Sequence, residues 1–148
     1  MRFSQGTMGR VFVLRLEDGD RVPDCLERFA AEQDLEAAAC LLLGGAAGGK
    51  LVVGPVDGEV TPIVPMLEAI AGVHEIAAVG TLFPDAQGRP RLHMHGTVGR
   101  GRDVRTGCVR QGVDVWRIAE VVLLEILGTG MRRVLDPAFG FEVLATAE

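Results

Sequence analysis

Residues 76–111 read IAAVGTLFPDAQGRPRLHMHGTVGRGRDVRTGCVRQ in the one-letter code. Three runs that contain β-branched and other apolar residues, Ile76–Phe83, Arg91–Val98 and Asp103–Gln111, are separated here by two short segments rich in glycine, proline and charged residues. Runs of this kind that are bounded by turn-forming residues are typical of strands joined by short connections. The stretch therefore predicts two consecutive β-hairpins within a largely antiparallel sheet.

The flanking sequence extends this sheet and adds one helix. Strands are expected at Val11–Leu16, at the uninterrupted apolar run Ala37–Leu43 and at the closing segment Gly140–Leu144. Apolar residues recur at helical spacing from Pro23 to about residue 34, which predicts an amphipathic helix. Val115–Leu127 is apolar on both faces and β-branched in its middle, which favours a central strand over a helix. The order predicts an α+β fold with a mostly antiparallel sheet and one main helix.

The glycine-rich middle of the chain is less regular. Gly44–Lys50 nearly matches the phosphate-binding loop G-x-x-x-x-G-K-[ST], but Leu51 replaces the hydroxyl residue that would hold magnesium. We therefore interpret this segment as a hairpin turn that leads into a strand at Leu51–Gly54. A further strand is expected at Glu59–Val64, and one or two helical turns are expected at Met66–Ile70.

The composition is that of a globular protein without a positive field. The 148 residues fit one domain spanning 1–148, and 15 lysines and arginines against 20 acidic residues give a net charge of −5. This balance, together with the absence of an AT-hook extension, disfavours DNA binding. Charges interrupt every long apolar run, so we expect no membrane span, and Met1–Gly6 has no apolar h-region, so we expect no signal peptide. Three cysteines, an odd number, fit reduced thiols in the cytoplasm.

The strongest chemical signal is a possible metal-ligand set in the second hairpin. His93 and His95 are two residues apart, so a strand places both imidazoles on one face. A turn centred on Arg100-Gly101 would place His93 opposite Cys108 and His95 opposite Thr106. Two imidazoles and one thiolate are ligands that zinc prefers, and three protein ligands leave one position open, as in catalytic zinc sites. The alternative is that both histidines lie on a solvated strand and the cysteine packs in the core.

Other polar residues are weaker candidates. Glu75 and Glu120 interrupt otherwise apolar strands, which makes them candidate catalytic bases or, more commonly, residues paired to an arginine. Gln87–Pro90 and Arg100–Asp103 partly resemble the core of an AT-hook, but both fall in predicted turns. Ser4 is the only serine, so no Ser-His-Asp arrangement is expected.

The order and spacing of several short motifs resemble the PPC (plants-and-prokaryotes-conserved) domain family over nearly the whole chain. The motifs are Gly9–Gly19, Leu41–Ala46, His74–Ile76, Gly80–Leu82, Pro90–His95, Glu120–Leu123 and the stretch from Arg133 to Leu144. The resemblance implies an α+β domain that assembles as a homotrimer, with Val115–Leu127 as a strand. It also implies a stand-alone prokaryotic member, a type commonly described as DNA-binding.

The resemblance bears on the metal ligands as well. The family pattern usually has Gly-Gly-His on the strand after His-x-His, whereas this chain has Thr106-Gly107-Cys108. Cysteine therefore replaces the third histidine and is still a zinc ligand. The fold is also similar to that of acetolactate decarboxylase, in which zinc is held by a comparable His-x-His and a later histidine. This is an analogy of fold, and it transfers no substrate.

Three functional hypotheses follow. The first is a DNA-binding or regulatory PPC homotrimer that binds zinc. The second is a zinc-dependent hydrolase or lyase acting on a small carboxylate or carbonyl compound; His93, His95 and Cys108 hold the metal, and Glu75 or Glu120 moves the proton. The third is a purely structural trimer. The sequence favours the first.

Overall fold

Residues in strands far outnumber residues in helices in the computed structural model, which describes residues 1–146. The elements are β1 (Thr7–Glu17), β2 (Arg21–Val22), α1 (Asp24–Glu32), β3 (Ala38–Pro55), β4 (Pro65–Ala69), β5 (His74–Pro84), β6 (Pro90–Arg100), β7 (Asp103–Cys108), a 3₁₀ turn (Val109–Gln111), β8 (Val113–Leu127), β9 (Met131–Asp136) and β10 (Phe141–Thr146). The predicted α+β class and the predominance of antiparallel strands are confirmed. No helix in residues 1–146 has the length and hydropathy needed to cross a membrane.

The main sheet contains eight strands in the order β1-β8-β3-β5-β6-β7, with β2 added beside β8 and β4 beside β3. A further pairing joins Val52 of β3 to Cys108 of β7. Since β3 also pairs with β5, the strands β3, β5, β6 and β7 close on one another. This closure places the end of β7 between β6 and the distal half of β3.

The prediction of a hairpin turn at Gly44–Lys50 is wrong, because β3 runs through this segment as one bent strand of 18 residues. Gly44 and Gly49 have φ values of 152° and 97°, which favour glycine. A Cβ at Gly44 would lie 2.5 Å from the Cα of Ala119, and one at Gly49 would lie 2.0 Å from the carbonyl oxygen of Gly112. The glycines therefore allow β8 to approach closely while β3 bends.

Two further expectations in the middle of the chain are wrong. Residues 59–64 form no strand, and Pro62 in this segment lacks the N–H that a ladder requires. The expected helical turns at Met66–Ile70 are replaced by β4, in which Glu68 pairs with Leu51 of β3. Periodicity does not distinguish a helix from a strand in so short an apolar run, and the free edge of β3 decides the outcome.

The predicted helix and the predicted alternation of faces are both present. Pro23 precedes α1, which buries Cys25, Leu26 and Ala30 against the sheet. From His74 to Leu82 of β5 and from Leu92 to Val98 of β6, the even-numbered residues are buried and the odd-numbered ones are exposed. We call the side that carries the odd-numbered residues of β5 and β6 the outer face. The buried inner face forms the core, and the outer face carries the histidines.

Candidate metal centre

The register of the second hairpin differs by two residues from the prediction. Arg100 pairs with Asp103, so His95 lies opposite Cys108, and Thr97 lies opposite Thr106. The turn begins one residue later than expected, with Gly101 at a φ of 63° that glycine adopts readily. A shift of two residues keeps every side chain on its original face, whereas a shift of one would reverse it. The three predicted ligands therefore still lie on the same side of the sheet.

The structure brings His93, His95 and Cys108 together. One ligand atom from each of the three lies within 4.8 Å of the others. The Nε2 atoms of the two imidazoles are 3.1 Å apart, while two nitrogens on one tetrahedral zinc are about 3.3 Å apart. Cys108 is 2% exposed, and both histidines are exposed. This donor set fits a metal ion of the zinc type, with the solvent side of the cluster open.

The surroundings keep the imidazoles in the form that binds metal. Burial lowers the pKa of His93, and the positive charges of Arg133 and Arg110 lower it further. The pKa of His95 is lowered by burial, by His93 and by Arg110. Because a lowered pKa favours the neutral imidazole, a lone pair is available for a metal without displacement of a proton.

Arg110 lies directly against the cysteine. Its Nε donates a hydrogen bond of 3.4 Å to the Sγ of Cys108. The other two cysteines lie apart from this group and are buried in the core. Burial raises the pKa of the Cys25 thiol to about 11 and that of Cys40 to about 12, so both stay protonated at neutral pH. Cys108 alone has the setting of a ligand.

Two cavities adjoin the cluster. The larger, of about 450 Å³, is lined by His95 and Cys108 and by apolar residues that include Val52, Ile63 and Phe141. The smaller, of about 260 Å³, is lined by Arg91, Leu92, His93, Arg110, Arg133 and Glu142. Arg110 lines both, so the histidines and the cysteine lie between an apolar and a cationic cavity.

Sequence reasoning missed Arg110 and Arg133 as residues of this site. Arg133 comes from β9, a strand that the sequence did not predict, and it pairs with Leu144 of the predicted closing strand. It is 6% exposed, and its guanidinium donates to the carbonyl oxygens of Arg91 and Thr81. Its place in a tail hairpin remote in sequence from the histidines left no local signal for its role.

The two candidate bases do not join the cluster within one chain. Glu75 lies on the outer face of β5. It is four residues, or roughly 13 Å along the strand, from Val79, the residue that pairs with His95. Glu120 pairs with Leu43 of β3, which pairs with Ala77 of β5, which in turn pairs with Thr97 of β6. Three strand spacings, or roughly 14 Å, therefore separate Glu120 from Thr97. Glu142 is instead the carboxylate that lines the cavity beside His93.

The segments that partly resemble an AT-hook have structural roles, as expected for turns. The connection between β5 and β6 is held by Asp85, which is 1% exposed and accepts hydrogen bonds from the backbone N–H groups of Gln87 and Arg89. The side chain of Arg89 also donates to this carboxylate. Gly101-Arg102 forms the tight turn between β6 and β7.

The class of protein is an α+β domain built on an antiparallel sheet. It carries a candidate metal centre of two histidines and one cysteine on the outer face of that sheet. The sequence model of the Plants and Prokaryotes Conserved (PCC) domain matches residues 3–127. The chain therefore belongs to this family, the same PPC family that its motifs resemble.

Solved structures share the fold across almost the whole chain. A metal-containing protein from Archaeoglobus fulgidus has a TM-score of 0.86 at 23% identity, covering 98% of this chain and 99% of its own. A plant- and prokaryote-conserved (PPC) protein from Pyrococcus horikoshii has a TM-score of 0.85 at 19% identity, covering 100% and 99%. A Ralstonia eutropha structure named "Putative DNA-binding protein" has a TM-score of 0.74 at 22% identity, covering 91% and 90%. The comparison with curated proteins finds no match.

Proposed function

We propose that this chain is a zinc-binding PCC-domain protein whose metal centre receives a small molecule. The observation that carries the proposal is the convergence of His93, His95 and Cys108, with ligand atoms within 4.8 Å of one another, at the edge of two cavities. Three ligands at an open cavity are typical of zinc sites that keep a position for a water or a substrate. A metal-containing protein with the same fold supports the proposal.

Zinc fits the donor set best. One thiolate and two imidazoles suit this borderline-soft ion, whereas calcium and magnesium prefer oxygen ligands. Zinc bound there would supply Lewis acidity toward an oxygen atom of a small molecule. The chain itself places the Nε of Arg110 on the Sγ of Cys108 and pairs Cys108 with Val52 of β3 in the ladder.

Elemental analysis tests the proposal. The protein is purified without a histidine tag or chelator, supplied with zinc and dialysed, and His93→Ala is treated in the same way. We expect about one zinc per chain in the wild type and a large loss in the variant. His74→Gln is the matched control, because His74 is a buried histidine that bonds to the carbonyl oxygen of Gly72. No retained zinc in the wild type, or equal retention in His93→Ala, would overturn the proposal.

We further propose that the protein is a homotrimer assembled through its outer face. Neighbouring strands of the sheet pair in one row that crosses Val13, Val122, Leu41 and Val79 and ends at His95. Three apolar residues of this row are exposed, namely Val13, Leu41 and Val79. Exposed apolar side chains in one row favour burial against another copy. The family resemblance supports three copies.

Sedimentation analysis tests the assembly. Val79→Lys places a charge in the apolar row and should shift the protein from trimer toward monomer. Val56→Lys is the control, because Val56 is 67% exposed and Val79 is 65% exposed, but Val56 lies in the connection after β3, outside the row. A monomeric wild type, or a trimer that Val79→Lys leaves intact, would contradict the proposal.

A DNA-binding or regulatory role is the second candidate, and it is supported by two solved structures of the same fold that carry the name "putative DNA-binding protein". The net charge of −5 weighs against direct contact with phosphates. A gel-shift assay with a salt titration tests this role. A shift that weakens steeply with salt would support it, and no shift at low salt would exclude direct binding under those conditions.

A zinc-dependent hydrolase or lyase is the third candidate. It is favoured by Glu142, which lines the same cavity as His93 and is the carboxylate available there for proton transfer. Hydrolysis of p-nitrophenyl acetate by the zinc-loaded protein is a direct probe of hydrolase activity. Turnover that falls in Glu142→Gln while the zinc content is unchanged would support this candidate, and equal turnover in both would count against it.

A further inference from the structure

Arg133 is a buried cation without a carboxylate partner. Its side chain is held within the protein at 6% exposure, and no carboxylate of residues 1–146 lies within 4.0 Å of its guanidinium. Burial lowers its pKa, which reflects the cost of keeping this charge away from water, and the charge of Glu142, which forms no ion pair with it, offsets only part of this cost. Buried charges in proteins are normally paired, so an unpaired one calls for an anion from elsewhere.

The hydrogen bonds of Arg133 fix the guanidinium and leave one nitrogen free. Nε donates to the carbonyl oxygen of Arg91 at 3.2 Å, and Nη2 donates to the carbonyl oxygen and Oγ1 of Thr81 at 2.9 and 3.1 Å. Nη1 has no acceptor within residues 1–146. It is not one of the fully buried atoms, so it remains accessible to a ligand. A rigid guanidinium therefore keeps one donor for the cavity that it lines.

Arg110 supplies a second guanidinium to the same cavity. Its Nε is fixed on the Sγ of Cys108, and no carboxylate in the described part of the chain forms an ion pair with it. Both arginines act on His93 from nearby, since each contributes to the lowered pKa of that residue. Arg91, the third arginine of the cavity, is already paired with Glu27 at 3.2 Å.

The cavity wall is therefore positive despite the acidic chain. Three arginines face one carboxylate, Glu142, in a volume of about 260 Å³. This volume is below the range of about 300–1,000 Å³ that is typical of drug-sized ligands, so it fits a compact group. Guanidinium groups match planar or tetrahedral oxyanions through paired, charge-assisted hydrogen bonds.

We propose that Arg110 and Arg133 form a subsite that binds the carboxylate or phosphate group of a small molecule beside His93. This inference deepens the proposed function. It rests on that function only in placing the other end of the ligand at His93, His95 and Cys108. The anion neutralises the buried charge of Arg133 and accepts hydrogen bonds from the free nitrogens of both arginines. A small anionic metabolite, rather than a neutral one, is thus the class of ligand for this centre.

Calorimetric titration in a buffer without competing oxyanions tests the subsite. Pyruvate represents a carboxylate and inorganic phosphate represents a phosphate, and each is added to the metal-free and to the zinc-loaded protein. We expect saturable binding of at least one anion, weakened about tenfold or more in Arg110→Gln because a charge-assisted hydrogen bond is lost. The anion that binds more tightly identifies the group.

Arg102→Gln is the matched control, because it removes the same charge from the exposed turn between β6 and β7 and should leave the affinity unchanged. No saturable binding of either anion, or equal weakening in Arg102→Gln, would overturn the subsite. The two proposals fail separately. Arginine-dependent binding to a protein that retains no zinc supports the subsite without the metal, whereas retained zinc without anion binding supports the metal without the subsite.

Discussion

Two regions of this protein bring arginine against the sheet, and they use it in opposite ways. At the β1–β8 pair, Arg10 contacts Glu125 through its backbone N, Nε and Nη2 at 2.7, 2.8 and 2.5 Å. These hydrogen bonds, led by the side-chain contact, lower the pKa of Glu125 to about 2. At the far side of the sheet, Arg110 and Arg133 form no ion pair with a carboxylate of residues 1–146. The first region is a closed structural ion pair, and the second is open to a ligand.

The closed pair also explains the Gly9-Arg10 dipeptide of the first motif. A Cβ at Gly9 would lie 2.5 Å from the Oε2 of Glu125, so the absent side chain makes room for the carboxylate that the next residue binds. In front of Arg133 lies instead the cavity that it lines together with Glu142. An arginine therefore becomes available for a ligand where the fold supplies hydrogen-bond acceptors for part of the guanidinium but no carboxylate in contact with it.

The largest effect is expected on zinc affinity when one of the metal ligands in the open region is replaced. Cys108→Ser should lower zinc affinity by more than about 100-fold, because loss of even an outer partner of a metal ligand costs about 10–100-fold. Competition with a chromogenic chelator measures the affinity. Cys25→Ala removes a buried thiol outside the cluster and should retain the metal. Equal affinities in all three proteins would show that Cys108 is not a ligand.

The closed region is broken most directly by filling the space beside Glu125. Gly9→Ala should destabilise the fold by about 1–3 kcal/mol, because the new Cβ forces the carboxylate away from Arg10. Urea unfolding measures the change. Gly58→Ala, at a glycine with no atom within 4 Å of the added Cβ, should stay within about 0.5 kcal/mol of the wild type. A neutral Gly9→Ala would mean that the pair tolerates displacement.

The pH dependence of stability distinguishes the closed pair from its surroundings. Because the pKa of Glu125 is lowered from 4.5 to about 2, its contribution is present above pH 4.5 and is lost as the pH falls toward 2. Glu125→Gln should therefore be less stable than the wild type at pH 7, and the two unfolding midpoints in urea should converge progressively as the pH falls from 4.5 toward 2. Glu120→Gln, which removes an exposed carboxylate of the same strand, should show no convergence of this kind. A constant gap for Glu125→Gln would contradict the assignment.

The smallest effect is expected from the open region when stability is measured instead of binding. Arg110→Gln should change the free energy of unfolding by less than about 0.5 kcal/mol, because Arg110 is exposed and has no ion-pair partner within residues 1–146. Arg10→Gln, measured beside it, should lose clearly more, since it leaves Glu125 without its guanidinium. A larger loss in Arg110→Gln than in Arg10→Gln would reverse the comparison.

The parts of the fold that could be predicted from the sequence are those set by local patterns. The apolar runs located β1, β8 and the two hairpins that contain β5, β6 and β7, and the helical spacing located α1. The continuation of β3 through Gly44–Lys50 and the strand β4 were mispredicted, because glycine runs and short apolar segments allow a turn, a helix or a strand locally. In β3, close packing against β8 selected the extended form.

The candidate site divides in the same way. The spacing of His93 and His95 placed both imidazoles on one face, since the side-chain period of a strand is two, and a shift of two residues in the register left Cys108 on that face. Which residue lies opposite Cys108, and the arrival of Arg133 from the tail hairpin, were decided only by the tertiary structure. Alternation is a property of a single strand, whereas register and the meeting of distant strands depend on contacts that form only when the whole sheet closes.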